Sequence, residues 1–327
     1  IEVEWHPASD TKGLRGFSHA WDQTAETFLS DTITLDEFQR SLASVPLEDG
    51  SSHYFHLSAV DKNNNLKTPS HLGPFLIDAT PPTPPSNLKS SSHQTGIWTA
   101  LSGVTISWID SQDETSGLLG YSILWDQQPI STPPEVIDIG SAVTGFVTPQ
   151  LTDGRWYVHL RSTDAAGNWS LGTAHFGPFM IDTGLPEPPS GLYSTSHKLK
   201  RWSSQNRISL SWNAGSDQQS GISTYLILWD QSPDSISNEK SYRHTLTTYT
   251  SPVLADGTNH YVHIRSMDKV GLMSAETLHL GPFQIDTAPP SPTRNLAVYY
   301  PPDTTKKLDI TKWQQKLQKK PSLRHLE

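Results

Sequence analysis

"HLGPFLIDATPP" (residues 71–82), "HFGPFMIDTGLP" (175–186) and "HLGPFQIDTAPP" (279–290) are one pattern written three times, 104 residues apart. Each reads as a strand that ends in a proline-stiffened exit. A repeat of this length is too long for a solenoid turn and suits a whole domain. Working outward, the alignment extends over most of the chain. "AWDQ" ends at Gln23, and "LWDQ" ends at Gln127 and again at Gln231. "LEDG", "LTDG" and "LADG" precede aromatic strands that close in Asp61, Asp164 and Asp268. Upstream, "IEVEW", "VTISW" and "ISLSW" end at Trp5, Trp108 and Trp212.

Within each copy the periodicity is that of strands. "VTISW", "YSILW" and "YVHLRS" alternate apolar and polar residues and are rich in β-branched and aromatic side chains. Asp-Gly pairs at 49–50, 153–154 and 256–257 and the run "DAAGN" at 164–168 mark turns. Several short strands separated by turn signals indicate an antiparallel β-sandwich. The Gly-Pro inside each exit strand removes a backbone donor, which places that strand on a sheet edge.

Composition agrees with small sandwich cores. Hydrophobic residues make up 34% of the 327, but eleven Trp, ten Tyr and nine Phe supply large apolar side chains. A net charge of −9 disfavours a nucleic-acid partner, since nothing would neutralise a phosphate backbone. No apolar run is long enough for a membrane span. Without cysteine there is no disulfide framework, thiolate metal site or cysteine nucleophile. The chain opens inside a strand, without Met, as part of a longer polypeptide would.

A strand ending in Trp, then Gly-x-x-x-Tyr-x-Ile-x-Trp, then Leu-x-x-Gly ahead of an aromatic strand closing in Asp-x-x-Gly-Asn-x-Ser, resembles the fibronectin type III domain. Trp108, Tyr121, Trp125, Leu151, Gly154, Tyr157 and "DAAGNWS" of the middle copy carry the likeness. The "GPF-x-ID-x-x-P" exit is similar to repeats of large bacterial surface and secreted proteins. The resemblance implies an all-β chain of tandem seven-stranded sandwiches arranged as beads on a string. The expected boundaries are 1–80 (lacking its first strand), 83–184 and 187–288. Proline linkers at 79–85, 183–189 and 287–292 are of the extended, semi-rigid kind. Residues 291–327 begin a fourth copy or form a C-terminal helical extension capped by Asp309.

The chemistry-bearing residues recur once per copy, as structural residues do and unique catalytic sets do not. His56, His159 and His263 alternate with Val or Leu and are expected to face solvent or a neighbouring strand. His-Glu-x-x-His, Gly-x-Ser-x-Gly and phosphate-binding glycine loops are all missing. Trp5, Trp108, Trp212, Trp21, Trp125 and Trp229 are core by alternation. Trp156 and Trp169, peculiar to the middle copy, are candidates for stacking on a glycan or anchoring a protein partner, or for closing one end of the sandwich. The aspartates offer more. In a fibronectin-like topology Asp113 and Asp164 share the pole reached by Asp78, and Asp217 and Asp268 share the pole reached by Asp182. Each trio is therefore a candidate Ca²⁺ site at a joint, or a set of ordinary turn caps. The expected role is a non-catalytic spacer or adhesion segment of a large extracellular or cell-surface protein. Alternatives are a glycan- or protein-binding module and the accessory domains of an enzyme whose catalytic domain lies elsewhere.

Overall fold

The structure, a computed structural model, describes residues 1–238 and 241–294. Every regular element among these residues is a β-strand. The first repeat holds β1 (Glu2–Glu4), β2 (Leu14–Asp22), β3 (Ser41–Ala43), β4 (Gly50–Asp61) and β5 (Ser70–Ile77). The middle repeat holds β6 (Ser86–Ser90), β7 (Trp98–Thr99), β8 (Thr105–Ile109), β9 (Leu118–Asp126), β10 (Ile139–Gly140), β11 (Gly145–Val147), β12 (Gly154–Asp164) and β13 (Ala174–Ile181). The third repeat holds β14 (Ser190–Ser194), β15 (Trp202–Ser203), β16 (Ser209–Asn213), β17 (Ile222–Asp230), β18 (Tyr242–His244), β19 (Thr248–Thr250), β20 (Gly257–Asp268) and β21 (Leu278–Ile285).

The protein is all-β. In the middle repeat a three-stranded sheet, β11-β8-β6, faces a five-stranded one, β10-β9-β12-β13-β7. The third repeat reproduces both orders, as β14-β16-β19 and β15-β21-β20-β17-β18. The first repeat has only β1-β3 and β2-β4-β5. Residues from 295 onward, where a fourth copy or a helix was expected, lie outside the described residues.

Alternation builds each core. Ile106 and Trp108 of β8 point inward against Tyr121 of β9, Val158 and Leu160 of β12, and Phe179 of β13. In the third repeat Leu210 and Trp212 pack against Tyr225, Val262, Ile264 and Phe283. Every one of these residues sits 104 positions after its counterpart. The Trp108 and Trp212 rings meet Tyr121 and Tyr225 edge to face, with centroids 5.4 Å apart in both repeats. Trp5, Trp21, Trp125 and Trp229 are only half-buried.

The exit strand of the first repeat, β5, is a sheet edge as expected, but those of the other two repeats depart from expectation. β13 is not the sheet edge over its last residues, because β7 pairs with it in parallel, Trp98 opposite Met180 and Thr99 opposite Ile181. β15 does the same for β21. The proline costs the ladder little because it sits opposite a bulge. The β12–β13 register slips between Trp156 and Val158, beside Gly177-Pro178. Beyond that point the backbone donors are free to pair, and a two-residue strand is enough to take them.

Candidate metal centre at the joints

Two joints link the three repeats, and each is built from the same parts. The loop after β8 is closed by Asp113, whose Oδ1 accepts the backbone N–H groups of Ser116 (3.0 Å) and Gly117 (2.7 Å). Asp217 closes the loop after β16 through Gly221 (2.6 Å). Both are Asx-type turns, which hold a carboxylate at the tip of the loop. Asp164 and Asp268 end β12 and β20 and are almost fully buried. The exit of the preceding repeat then delivers Asp78 or Asp182. Ser116 N–H donates to Asp78 Oδ2 (3.1 Å), and Ser220 N–H donates to Asp182 Oδ2 (3.0 Å).

Both expected trios therefore come together. One oxygen from each of Asp78, Asp113 and Asp164 lies within 4.8 Å of the others, and Asp182, Asp217 and Asp268 meet the same limit. Topology does this: the loop after the Trp strand and the end of the long aromatic strand emerge at one pole, where the linker enters.

The two trios differ in how their oxygens are used. At the first joint Asn168 donates from its backbone to Asp164 Oδ1 (2.8 Å) and from its side chain to Asp164 Oδ2 (2.9 Å). The same side-chain amide reaches Asp78 O (3.0 Å) across the joint. At the second joint Leu272 stands in that position. Asp268 Oδ1 takes the N–H groups of Val270, Gly271 and Leu272. Asp268 Oδ2 is buried with no hydrogen-bond partner among the described residues. Burial pushes the Asp268 carboxyl above its ordinary range; the amides of Leu272 and Gly271 oppose this, and the Asp182 charge adds to it.

The histidines form a separate, thrice-repeated unit. His56, His159 and His263 are buried, so of the two expected settings the neighbouring strand, and not solvent, is the one found. Each faces a histidine of the exit strand through Nδ1: His56–His71 at 2.6 Å, His159–His175 at 2.7 Å and His263–His279 at 2.6 Å. Their Nε2 atoms lie 3.0–3.2 Å from Asp22, Asp126 and Asp230. A neutral chain satisfies the unit. The inner Nε2–H donates to the carboxylate, so its Nδ1 accepts from the outer Nδ1–H. These pairings compensate for burying a polar ring, and their recurrence marks them as structural.

Trp156 and Trp169 are half-buried. The Trp156 indole donates to Thr152 O (2.8 Å), and Arg161 lies over the Trp169 ring at 5.6 Å. Trp202 is the more exposed ring, at 59%. Sequence reasoning passed over His93 and His197, which are buried and bridge a serine hydroxyl to the carbonyl of Leu101 or Gln205. Their 104-residue spacing was the available signal. The chain matches no protein-family model and no curated protein sequence.

Proposed function

We propose that this segment is a non-catalytic spacer, built of fibronectin type III-like repeats, within a large extracellular or cell-surface protein. The observation that carries the reading is the repetition of the joint itself. Ser116 N–H donates to Asp78 Oδ2 (3.1 Å) across the first joint, and Ser220 N–H donates to Asp182 Oδ2 (3.0 Å) across the second, 104 residues on. At the same offset, Thr83 N–H donates to Gln112 O (2.9 Å) and Glu187 N–H to Ser216 O (2.8 Å), which fixes the start of each following repeat to its own loop. Flexible linkers have no reason to reproduce cross-domain bonds, whereas a segment that holds distance and orientation does. The chemistry-bearing residues agree, since they recur in each repeat and serve its packing.

Solution scattering tests this. A single compact body of this length would have a radius of gyration near ~20 Å. Three domains held in a row should give about 30 Å. A value near the compact figure would remove the spacer reading.

A further inference from the structure

We infer that the joint between the middle and third repeats is a Ca²⁺ site made by Asp182, Asp217 and Asp268. The inference rests on the spacer reading for its purpose, though not for its geometry. Clustered carboxylates alone are common on protein surfaces, but this cluster is different in one respect. Asp268 is 1% exposed, and its Oδ2 has no donor among the described residues. A buried carboxylate oxygen without a partner is costly, and a second buried carboxylate, Asp182, stands beside it. No Lys or Arg ion pair among the described residues involves any of the three. The other Asp268 oxygen is fully engaged by three backbone amides, so Oδ2 is the one left to face the remaining carboxylates.

The hydroxyls around the joint show the same pattern. Ser220 Oγ and Ser266 Oγ are buried without partners among the described residues. Their counterparts at the first joint are satisfied: Ser116 Oγ accepts from Ala166 N–H, and Ser162 Oγ donates to Thr83 O. The second joint thus leaves polar atoms without the partners that the Asn168 amide and the backbone of Ala166 and Thr83 supply at the first. A cation with its waters fits that need.

The donor set selects the metal. All three ligands are carboxylate oxygens, which suits a hard cation and neither zinc nor copper. Oxygens within 4.8 Å of one another fit around Ca²⁺, whose ligands stand at about 2.3–2.6 Å in a flexible shell. Mg²⁺ demands a near-ideal octahedron at ~2.1 Å, which three carboxylates fixed by separate backbone elements are poorly placed to form. Access is available from one side. A pocket of about 220 Å³, lined by Asp153, Asp182, Glu187, Asp217 and Gln219, reaches two of the three carboxylates, Asp182 and Asp217, and would admit a hydrated cation along an acidic mouth. Binding would tie the exit of the middle repeat to two loops of the third and so set the joint.

The test uses the full chain, stripped with chelator and titrated calorimetrically with CaCl₂. One saturating site is expected, with a dissociation constant near the ~10⁻⁴–10⁻³ M of extracellular modules. Leu272→Asn installs the amide found at the first joint and should weaken binding at least tenfold while leaving the fold intact; Asp217→Asn, at a half-buried loop position, should do the same. Absence of a saturable Ca²⁺ heat, unchanged affinity in both variants, or equal affinity for Mg²⁺ would each overturn the inference. Scattering in chelator separates it from the spacer reading. An extended chain indifferent to calcium would remove the metal and keep the spacer; a compact chain that binds calcium would do the reverse.

Discussion

The two joints share their three aspartates and differ in the residue that stands beside the innermost one, Asn168 at the first and Leu272 at the second. Asn168 at the first joint commits its amide to Asp164 and to the backbone of Asp78, so that joint is closed by the protein alone. Leu272 at the second joint offers nothing polar, and the buried Asp268 oxygen is left over. A site can therefore be opened by deleting a partner as well as by adding ligands. The three aspartates are common to both joints; what distinguishes them is whether a neighbour has already used the innermost oxygen.

The largest expected effect breaks the comparison by removing one side of it. Trp212→Ala should destabilise the third repeat by about 3–5 kcal/mol, because it truncates a buried ring whose space cannot fully collapse. Since that repeat supplies Asp217 and Asp268, the calcium heat should vanish as well. Phe17→Ala, equally buried in the first repeat, should cost a similar amount and leave that heat unchanged. Calorimetry with and without chelator distinguishes the two.

Next comes the exchange at the first joint. Asn168→Leu should cost roughly 1–3 kcal/mol in chelator, the range for leaving a buried acceptor unpaired. Added Ca²⁺ should recover much of the loss, making the first joint behave as the second. Failure of calcium to restore the melting point would show that the trio alone does not decide the matter.

A smaller effect concerns pH at the second joint. The folded pKa of Asp268 is raised, so the stability linked to it is present below the unfolded carboxyl value and is lost as pH rises through the folded one. In chelator, Asp268→Asn should therefore gain on the parent as pH is raised from about 4 upward. Calcium should erase the difference by holding the ionised form. Thermal melts across that range provide the measurement.

The smallest effect is expected at the outer histidines. Burial, then the neighbouring inner histidine, lowers the pKa of His175 and of His279, and at His279 the carboxylates of Asp234 and Asp230 work against this. A depressed histidine pKa gives stability that is present above about 6.5 and lost as pH falls. His175→Gln and His279→Gln should each reduce that acid sensitivity slightly, His279→Gln by the smaller amount. A larger response at His279 in thermal melts would show that the aspartates beside it do not offset its burial.

Much of this was legible from residues alone, for physical reasons. The 104-residue period appears because each repeat needs the same inward-facing side chains, and so Trp108 and Trp212 could be placed in their cores. The aspartate trios were legible because chain topology decides which loops share a pole. Burial of His159 was not legible. Alternation names the face a residue is on but not whether a partner waits there, and His175 lies sixteen residues away on another strand. The two-residue strands β7 and β15 escaped notice because no periodicity exists over so short a run. The difference between the joints was equally hidden, since Leu272 is an ordinary residue until the oxygen it fails to reach has been located.

The cross-domain bonds that recur at both joints have a geometric consequence. If the same contacts relate the first repeat to the second and the second to the third, one rotation and one translation describe both steps. Applied again in a longer chain, that operation generates a screw. Equivalent surface residues such as Trp98 and Trp202 would then follow a helical track with constant advance and constant turn. The pitch of that track is set by the short linker, so lengthening or shortening one linker by a single residue would shift the phase of every repeat beyond it.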